Sequence, residues 1–140
     1  MSQDFTKKMA IVVRNDLESW QVLNTVAHCS AFLGNKIKES FDTGEPFLTS
    51  DNKPFPRNSQ YPIVSLSAKA GQLPALLEQT RASGLLYIAF IREMIDTTVD
   101  QEIIDGLKNK TEAQTELLGI GIFGENEAVK TLTKKFSLWK

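Results

Sequence analysis

The chain has 140 residues, of which 41% are hydrophobic and 24% charged, and this balance predicts one ordinary globular domain. Sixteen basic residues against seventeen acidic ones leave a net charge of −1, which argues against general nucleic-acid binding through phosphate neutralisation. A single cysteine and a single histidine exclude an intrachain disulfide and disfavour a protein-only zinc site, so we expect no metal and no cofactor. The first residues lack the apolar core of a signal peptide, and no run approaches the ~18 apolar residues of a membrane span. We therefore expect a cytoplasmic protein without membrane contact.

The first half of the chain predicts a strand, a helix and a long loop. Met9–Val13 is an apolar, β-branched run, typical of a strand that is covered on both faces. Asp16 and Ser19 are both candidate N-caps for a helix over 20–33, where apolar residues lie nearly all round and predict burial. Residues 42–62 hold four of the five prolines, and we expect an irregular surface loop there.

The second half predicts three further strands that alternate with helices. The strands are Tyr61–Ser67, Leu85–Ile91 and Leu117–Phe123. The helices begin near Gln72, at Asp100 and at Glu125, and Pro74 and Gly84 mark the start and stop of the first. The first two of these strands and the helix between them form a βαβ unit, so we expect the two strands to be parallel.

These elements predict a single three-layer α/β domain over residues 1–140, with a four-stranded mixed sheet and helices on both faces. Ser137–Trp139 is a candidate for a final short strand. The glycines of LGIGIFG (118–124) lack the strand-then-helix context of a phosphate loop, so they predict close packing and no nucleotide site.

Four stretches together resemble the type 2 peptidyl-tRNA hydrolases. They are KMAIVVRNDL (8–17), VAHCSA (26–31), the strand–helix–strand unit of 61–93, and AQTELLGIGIFGENEAVKTLTKKFSLW (113–139). The variant WQVLN (20–24) is closer to the domain of unknown function 2000 family, which is similar to those hydrolases in fold, and we identify the chain as a member of it. The resemblance implies the fold of these hydrolases and a homodimer.

The resemblance also implies site residues, one position at a time. The helix lysine of the hydrolases falls on Asn24, a glutamine falls on His28, and the catalytic aspartate and its threonine fall on Glu93 and Thr97. A glutamine–threonine pair is retained; these residues are Gln114 and Thr115. Residues 99–110 form an additional helical segment beside the site. We assign catalytic roles to Glu93, Thr97 and His28, and ligand binding to Arg14, Asn24, Gln114 and Thr115.

The exchange of lysine for Asn24 is the most informative departure. A cationic amine can hold a phosphate or stabilise an oxyanion, whereas a neutral amide only exchanges hydrogen bonds. We therefore expect a diverged hydrolase, or a binder of a small-molecule or peptide-like ligand. The alternatives are an active peptidyl-tRNA hydrolase, for which tRNA would be a partner, and a noncatalytic dimeric interaction module.

Each candidate also has a structural interpretation. Asn24 and His28 lie four residues apart on one helix face, where they could be a hydrogen-bonded polar pair. Arg14 could form a surface ion pair, with Asp16 as the helix cap, and Glu93 could be a solvated acid. Cys29 is expected in the core. Trp20 is also expected there, with the wall of a pocket as its alternative.

Overall fold

The apolar run near the start of the chain forms the central strand, β1 (Lys7–Arg14), of a mixed sheet. The computed structural model describes residues 3–38 and 43–140. In chain order the remaining elements are α1 (Ser19–Ile37), β2 (Phe47–Leu48), β3 (Pro54–Phe55), β4 (Ile63–Ala68), α2 (Leu73–Ser83), β5 (Leu86–Ile91), α3 (Arg92–Asp96), α4 (Asp100–Lys108), β6 (Leu117–Glu125), α5 (Asn126–Thr133) and β7 (Ser137–Leu138).

The main sheet has five strands in the order β5-β6-β1-β4-β7, so the expectation of four strands was wrong. β1 pairs in parallel with β4 and antiparallel with β6, which pairs antiparallel with β5. The fifth strand is β7, which adds to the outer side of β4 by pairing Leu138 with Leu66 and Ser137 with Ser67. β1, β4 and β5 therefore point the same way, as expected for β4 and β5, and their carboxyl ends meet the start of β6 at one edge of the molecule.

Helix α1 packs on one face of the sheet through a stripe of buried residues, Val22, Thr25, Cys29 and Leu33. Its N-terminus is closed by Gln21, whose side-chain carbonyl accepts the N–H of Glu18 at 3.1 Å. The prediction that this helix is buried all round was wrong, because only one layer of sheet lies beneath it. Leu23 is 70% exposed and Trp20 is 54% exposed, so Trp20 is not a core residue.

Two glycines of β6 allow α1 to lie close to the sheet. A Cβ on Gly119 would lie 2.7 Å from Cγ2 of Thr25, and a Cβ on Gly121 would lie 3.1 Å from Cβ of Cys29. Both distances are shorter than ordinary carbon–carbon contacts, which are optimal near ~3.5–4.0 Å. The glycine spacing of LGIGIFG thus serves helix–sheet packing.

Helices α2 and α5 cover the opposite face of the sheet and enclose a second core with Leu73, Leu76 and Val129. Pro74 lies in the first turn of α2, and Gly84 ends the helix with a φ of 74°, in the left-handed region that glycine adopts without strain. Helices therefore lie on both faces of a mixed α/β sheet.

The segment predicted as an irregular loop carries a small antiparallel ribbon, β2–β3, in which Phe47 faces Phe55. Asn52, with a φ of 64°, makes the turn, and the hydroxyl of Thr49 donates to Asp51 at 2.6 Å. Residue 42, the first of that predicted loop, lies outside the described residues, as do residues 39–41. Among residues 3–38 and 43–140, no helix has the length and apolar character needed to cross a membrane.

Candidate functional site

Arg14 lies at the carboxyl end of β1 and is held by two carboxylates. Its Nε and Nη2 donate to the two oxygens of Asp16, both at 2.9 Å, and its Nη1 donates to Oε1 of Glu116 at 2.8 Å. Glu116 also accepts two hydrogen bonds of 3.0 Å from Arg92, the first residue of α3. We call Arg14, Asp16, Arg92 and Glu116 the arginine cluster. Asp16 serves this cluster and does not cap α1, whose N-cap is Glu18.

The arginine cluster leaves little of Arg14 for a ligand. Its side chain is 13% exposed, and three of its nitrogens are committed to carboxylates. The two guanidinium groups lower the pKa of Glu116 to about 2, with Arg92 as the larger cause. The cluster is therefore an ion-pair network of two arginines and two carboxylates. It connects the end of β1, the start of α3 and the residue before β6.

Glu93 follows β5 in α3, and its carboxylate is paired with a lysine. Oε1 accepts a hydrogen bond from Nζ of Lys110, beyond the end of α4, and the side chain is 12% exposed. The Lys110 ammonium is the main reason that the pKa of Glu93 lies below its ordinary value. Oε2 is buried and accepts no well-formed hydrogen bond from the described residues. Glu93 is thus an ionised carboxylate fixed beside a cation.

Asn24, His28 and Thr97 line one open hollow between α1 and the α3–α4 segment. We call it the α1 hollow; its volume is about 380 Å³ and its lining is Trp20, Asn24, His28, Met94, Ile95, Thr97, Thr98, Asp100 and Ile103. Thr97 is held in place because its hydroxyl donates to Glu102 at 2.5 Å and accepts the N–H of Val99 at 3.1 Å. Trp20 forms a wall, and its indole N–H donates to Glu18 at 2.8 Å.

A second hollow continues from the first along α1 and shares His28 and Met94 with it. This edge hollow has a volume of about 440 Å³ and is lined by His28, Ala31, Phe32, Asn35, Ile88, Phe90 and Met94. The His28 ring stacks on Phe90 with the ring centroids 5.4 Å apart, so His28 stands where the two hollows meet. It is an exposed side chain supported from below by an aromatic ring.

Gln114 and Thr115 lie elsewhere. The side-chain carbonyl of Gln114 accepts the N–H of Thr111 at 2.8 Å, and the Thr115 hydroxyl donates to the Thr111 carbonyl at 3.2 Å. Thr115 lines a hollow of about 490 Å³ under α2, crossed by an ion pair between Arg81 and Glu112. This α2 hollow is larger than the α1 hollow, but Thr115 is the one predicted site residue in its lining.

The comparisons with known proteins place the chain in a family. A family model described as "Protein of unknown function (DUF2000)" matches residues 7–140. The chain belongs to the DUF2000 family. It is similar in structure to the protein of unknown function Atu0240 from Agrobacterium tumefaciens strain C58, with a TM-score of 0.83 and 21% identity over 98% of this chain and 100% of that one. No curated protein matches this DUF2000 chain in sequence.

The family identified from the sequence is thus confirmed, and the similarity to Atu0240 shows a shared fold. Neither description names an activity. Among the described residues, no group of three His, Cys, Asp or Glu side chains could hold a metal ion.

The structure brings together three of the predicted site residues of this DUF2000 chain, Asn24, His28 and Thr97, and leaves the other four outside the lining of the α1 hollow. The sequence reasoning missed Met94, Arg92, Lys110 and Glu116. Arg92 and Met94 were within reach of it, because both flank Glu93 directly after a strand end. The sequence could not predict the ion pairs of Glu116 and Lys110. Arg14 lies 102 residues from Glu116, and Glu93 lies 17 residues from Lys110.

Proposed function

We propose that this protein binds a small-molecule or peptide-like ligand in the α1 hollow and hydrolyses peptidyl-tRNA poorly or not at all. The observation that carries the proposal is the convergence of Asn24, His28 and Thr97 on one hollow beside Trp20 and Met94. A concave, mostly apolar surface with a few polar groups is the usual form of a ligand site, and typical volumes start near ~300 Å³.

The polar groups of the α1 hollow suit a ligand with amide or hydroxyl groups. Asn24 offers both a carbonyl and an amide, Thr97 a hydroxyl and His28 a ring nitrogen. Trp20 and Met94 supply apolar surface, 54% and 39% exposed, that a ligand would cover. The charged residue in the lining is Asp100. Its negative charge disfavours the binding of a phosphate and favours the binding of a neutral or cationic group.

The groups expected to perform hydrolysis are engaged elsewhere. A general base works best with a pKa near the working pH. Lys110 instead lowers the pKa of Glu93, which moves it further from that pH. Arg14, which could have replaced the missing lysine, is held by Asp16 and Glu116. These ion pairs support binding over catalysis.

Fluorescence can test ligand binding directly. The chain has two tryptophans, so the variant Trp139→Phe leaves Trp20 as the single indole reporter. We expect some members of a panel of N-acetyl amino-acid amides and dipeptides to change Trp20 emission saturably. His28→Ala should weaken that binding at least about tenfold, because it removes one of the two side chains shared by both hollows. Gln79→Ala, on the exposed face of α2, is the matched control and should leave the affinity unchanged.

One observation favours an active hydrolase as the second candidate. The resemblance assigns Glu93 to the catalytic position, and Lys110 places an ammonium group beside its carboxylate. This ammonium group could take the place of the lysine that Asn24 has replaced. In this alternative Glu93 and Thr97 orient the attacking water and Lys110 stabilises developing charge.

Incubation with a peptidyl-tRNA separates the two candidates. We expect turnover at least about 100-fold below that of a true hydrolase, since losing one preorganised donor commonly costs that much. Whatever turnover is seen should be the same in Glu93→Gln as in Glu127→Gln, a matched change on α5. Full turnover that Glu93→Gln abolishes and Lys110→Met reduces would make the chain a hydrolase.

A further inference from the structure

The two edges of the five-stranded sheet differ in how they are protected. β7 forms one edge with two residues, Ser137–Leu138, and so offers little main chain to a further strand. β5 forms the other edge with six residues, LYIAFI, which include no charge and no proline. Its one irregularity, between Phe90 and Ile91, lies at its end. Exposed sheet edges are normally protected by short length, lysine, proline or bulges, because an open edge pairs with other chains. β5 has almost none of these protections.

The main-chain groups that β5 presents outward can be identified. The N–H of Arg92 donates to the carbonyl of Glu116 at 3.0 Å, which is toward β6. Successive residues of a strand point their N–H and C=O groups to opposite sides, so those of Ile88 and Phe90 also point toward β6. Those of Tyr87 and Ala89 point away from it. Within the described part of the chain, no main-chain hydrogen bond from outside the sheet reaches Tyr87 or Ala89.

The surface beside this edge is apolar and open. Ile88 and Phe90 both line the edge hollow, whose outer side has no wall among the described residues. Met94, which lies in both hollows, is 39% exposed. The unpaired edge of β5 and an apolar hollow that is open to solvent therefore lie next to each other.

We propose that β5 pairs antiparallel with β5 of a second copy of this chain, about a two-fold axis beside Ile88. Opposed residues in such a pair lie on the same face of both sheets, so Ile88 meets Ile88 of the second copy and Tyr87 meets Ala89. Both Tyr87–Ala89 pairs then exchange their outward N–H and C=O groups. The two sheets become one continuous sheet.

A second copy is the occupant that the two edges favour. Two-fold pairing is isologous and consumes both open β5 edges at once. The edges that remain are the two-residue β7 strands, so assembly stops at a dimer. A second copy is present at the same concentration as the first and offers an identical open edge of six uncharged residues.

The second copy would also complete the edge hollow. Leu86, Ile88 and Phe90 project from the α1 face of the strand, and their counterparts from the second copy would form the missing wall. His28, at the junction of the two hollows, would then lie next to the partner. Since the open edge exists with or without a ligand, this inference does not rest on the proposed ligand binding.

Sedimentation of the ligand-free full chain tests the pairing. We expect a dimer, and we expect Ala89→Pro to raise its dissociation constant at least about tenfold, because each copy loses one intermolecular hydrogen bond. The N–H of Ala89 points away from β6, and edge strands tolerate proline, so the fold should persist with an unchanged circular dichroism spectrum. Leu138→Lys, at the β7 edge, is the matched control and should remain dimeric.

Cross-linking gives a second readout that does not depend on how Ala89→Pro folds. Directly opposed Cβ atoms lie ~4.5–5.5 Å apart, near the range that a disulfide spans, so Ile88→Cys should form a covalent dimer on mild oxidation. Native Cys29 will not interfere, because burial raises the pKa of its thiol to about 12. Leu138→Cys should stay monomeric on a reducing-agent-free gel. A wild-type chain that sediments as a monomer, or a dimer that Ala89→Pro leaves intact and Ile88→Cys does not cross-link, would overturn the proposal.

Discussion

Among single residues, Glu116 is notable because its carboxylate accepts hydrogen bonds from two arginines. It precedes β6 and joins Arg14, the last residue of β1, to Arg92, which follows β5, so one carboxylate connects three parts of the sheet edge. Its pKa is lowered to about 2 by these arginines. A carboxylate with a depressed folded-state pKa contributes stability above its unfolded pKa of about 4.5, and that contribution is lost as the pH falls through about 2.

We expect Glu116→Gln to lower the free energy of unfolding by about 1 kcal/mol at pH 7. The side chain is 45% exposed, so solvent screens the interaction and keeps its contribution to stability small. Urea unfolding between pH 7 and 2 measures the effect. The difference between wild type and Glu116→Gln should shrink between pH 4.5 and 2.

Glu78→Gln is the control for this titration, because Glu78 lies on the exposed face of α2. It should follow the wild-type stability at every pH. A Glu116→Gln difference that stayed constant down to pH 2 would mean that the cluster does not act through the charge of Glu116.

The sequence could point to Arg14 and Glu93 but not to what they do. Arg14 follows the predicted strand Met9–Val13, at the end where polar side chains meet at one edge of a sheet, and Glu93 was assigned through the resemblance to the hydrolases. Their partners, Glu116 and Lys110, come from distant turns whose folding places them there. An ion pair between residues 102 positions apart leaves no pattern in a single sequence.

At the level of elements, the contact between α1 and β6 depends on glycine. Gly119→Ala would place its Cβ 2.7 Å from Cγ2 of Thr25 and 3.0 Å from the main-chain oxygen of Val12, which cannot easily move. Overpacking of this kind typically costs ~1–3 kcal/mol. We expect Gly119→Ala to lower the free energy of unfolding by that amount, which a lower midpoint of urea unfolding would show.

Gly34→Ala is the matched control within α1 itself. A Cβ at Gly34 meets nothing within 4 Å, and alanine is favoured over glycine in a helix by roughly 0.5–1 kcal/mol. Gly34→Ala should therefore be neutral or stabilising. If both variants lost stability equally, the close contact at Gly119 would not be the cause of its loss.

The sequence predicted the elements better than their surroundings. Apolar runs and the Pro74 and Gly84 signals defined β1, β5, β6 and α2 to within a few residues. The exposure of α1 was missed because apolar residues all round a helix predict burial only if there is protein on every side. The ribbon β2–β3 was missed because two-residue strands carry no periodicity, whereas the candidate strand Ser137–Trp139 is present as β7.

On the scale of the whole molecule, β1 joins two cores. Met9, Ile11 and Val13 belong to the core under α1, and Ala10 and Val12 belong to the core under α2 and α5. A strand whose alternate side chains enter both cores couples them mechanically. We therefore expect the two sides of the sheet to unfold together.

Leu76→Ala tests that coupling. Leu76 is fully buried under α2, so its truncation should cost about 2–5 kcal/mol. In a Trp20→Phe background, Trp139 reports on the α1-side core. We expect its fluorescence and the far-ultraviolet circular dichroism to shift to the same lower urea midpoint. A fluorescence transition that keeps its wild-type midpoint would show two independent cores; Gln79→Ala should change neither signal.

The close approach of Thr25 to Gly119 means that a single methyl group serves two elements at once. The methyl group of Thr25 fills the space that a Cβ at position 119 would occupy, so the helix supplies the carbon atom that the strand lacks. Moving that carbon across, with Thr25→Ser and Gly119→Ala together, should recover part of the stability that Gly119→Ala loses alone. Chains built on this architecture can therefore exchange bulk between helix and strand while the spacing between the two layers stays the same.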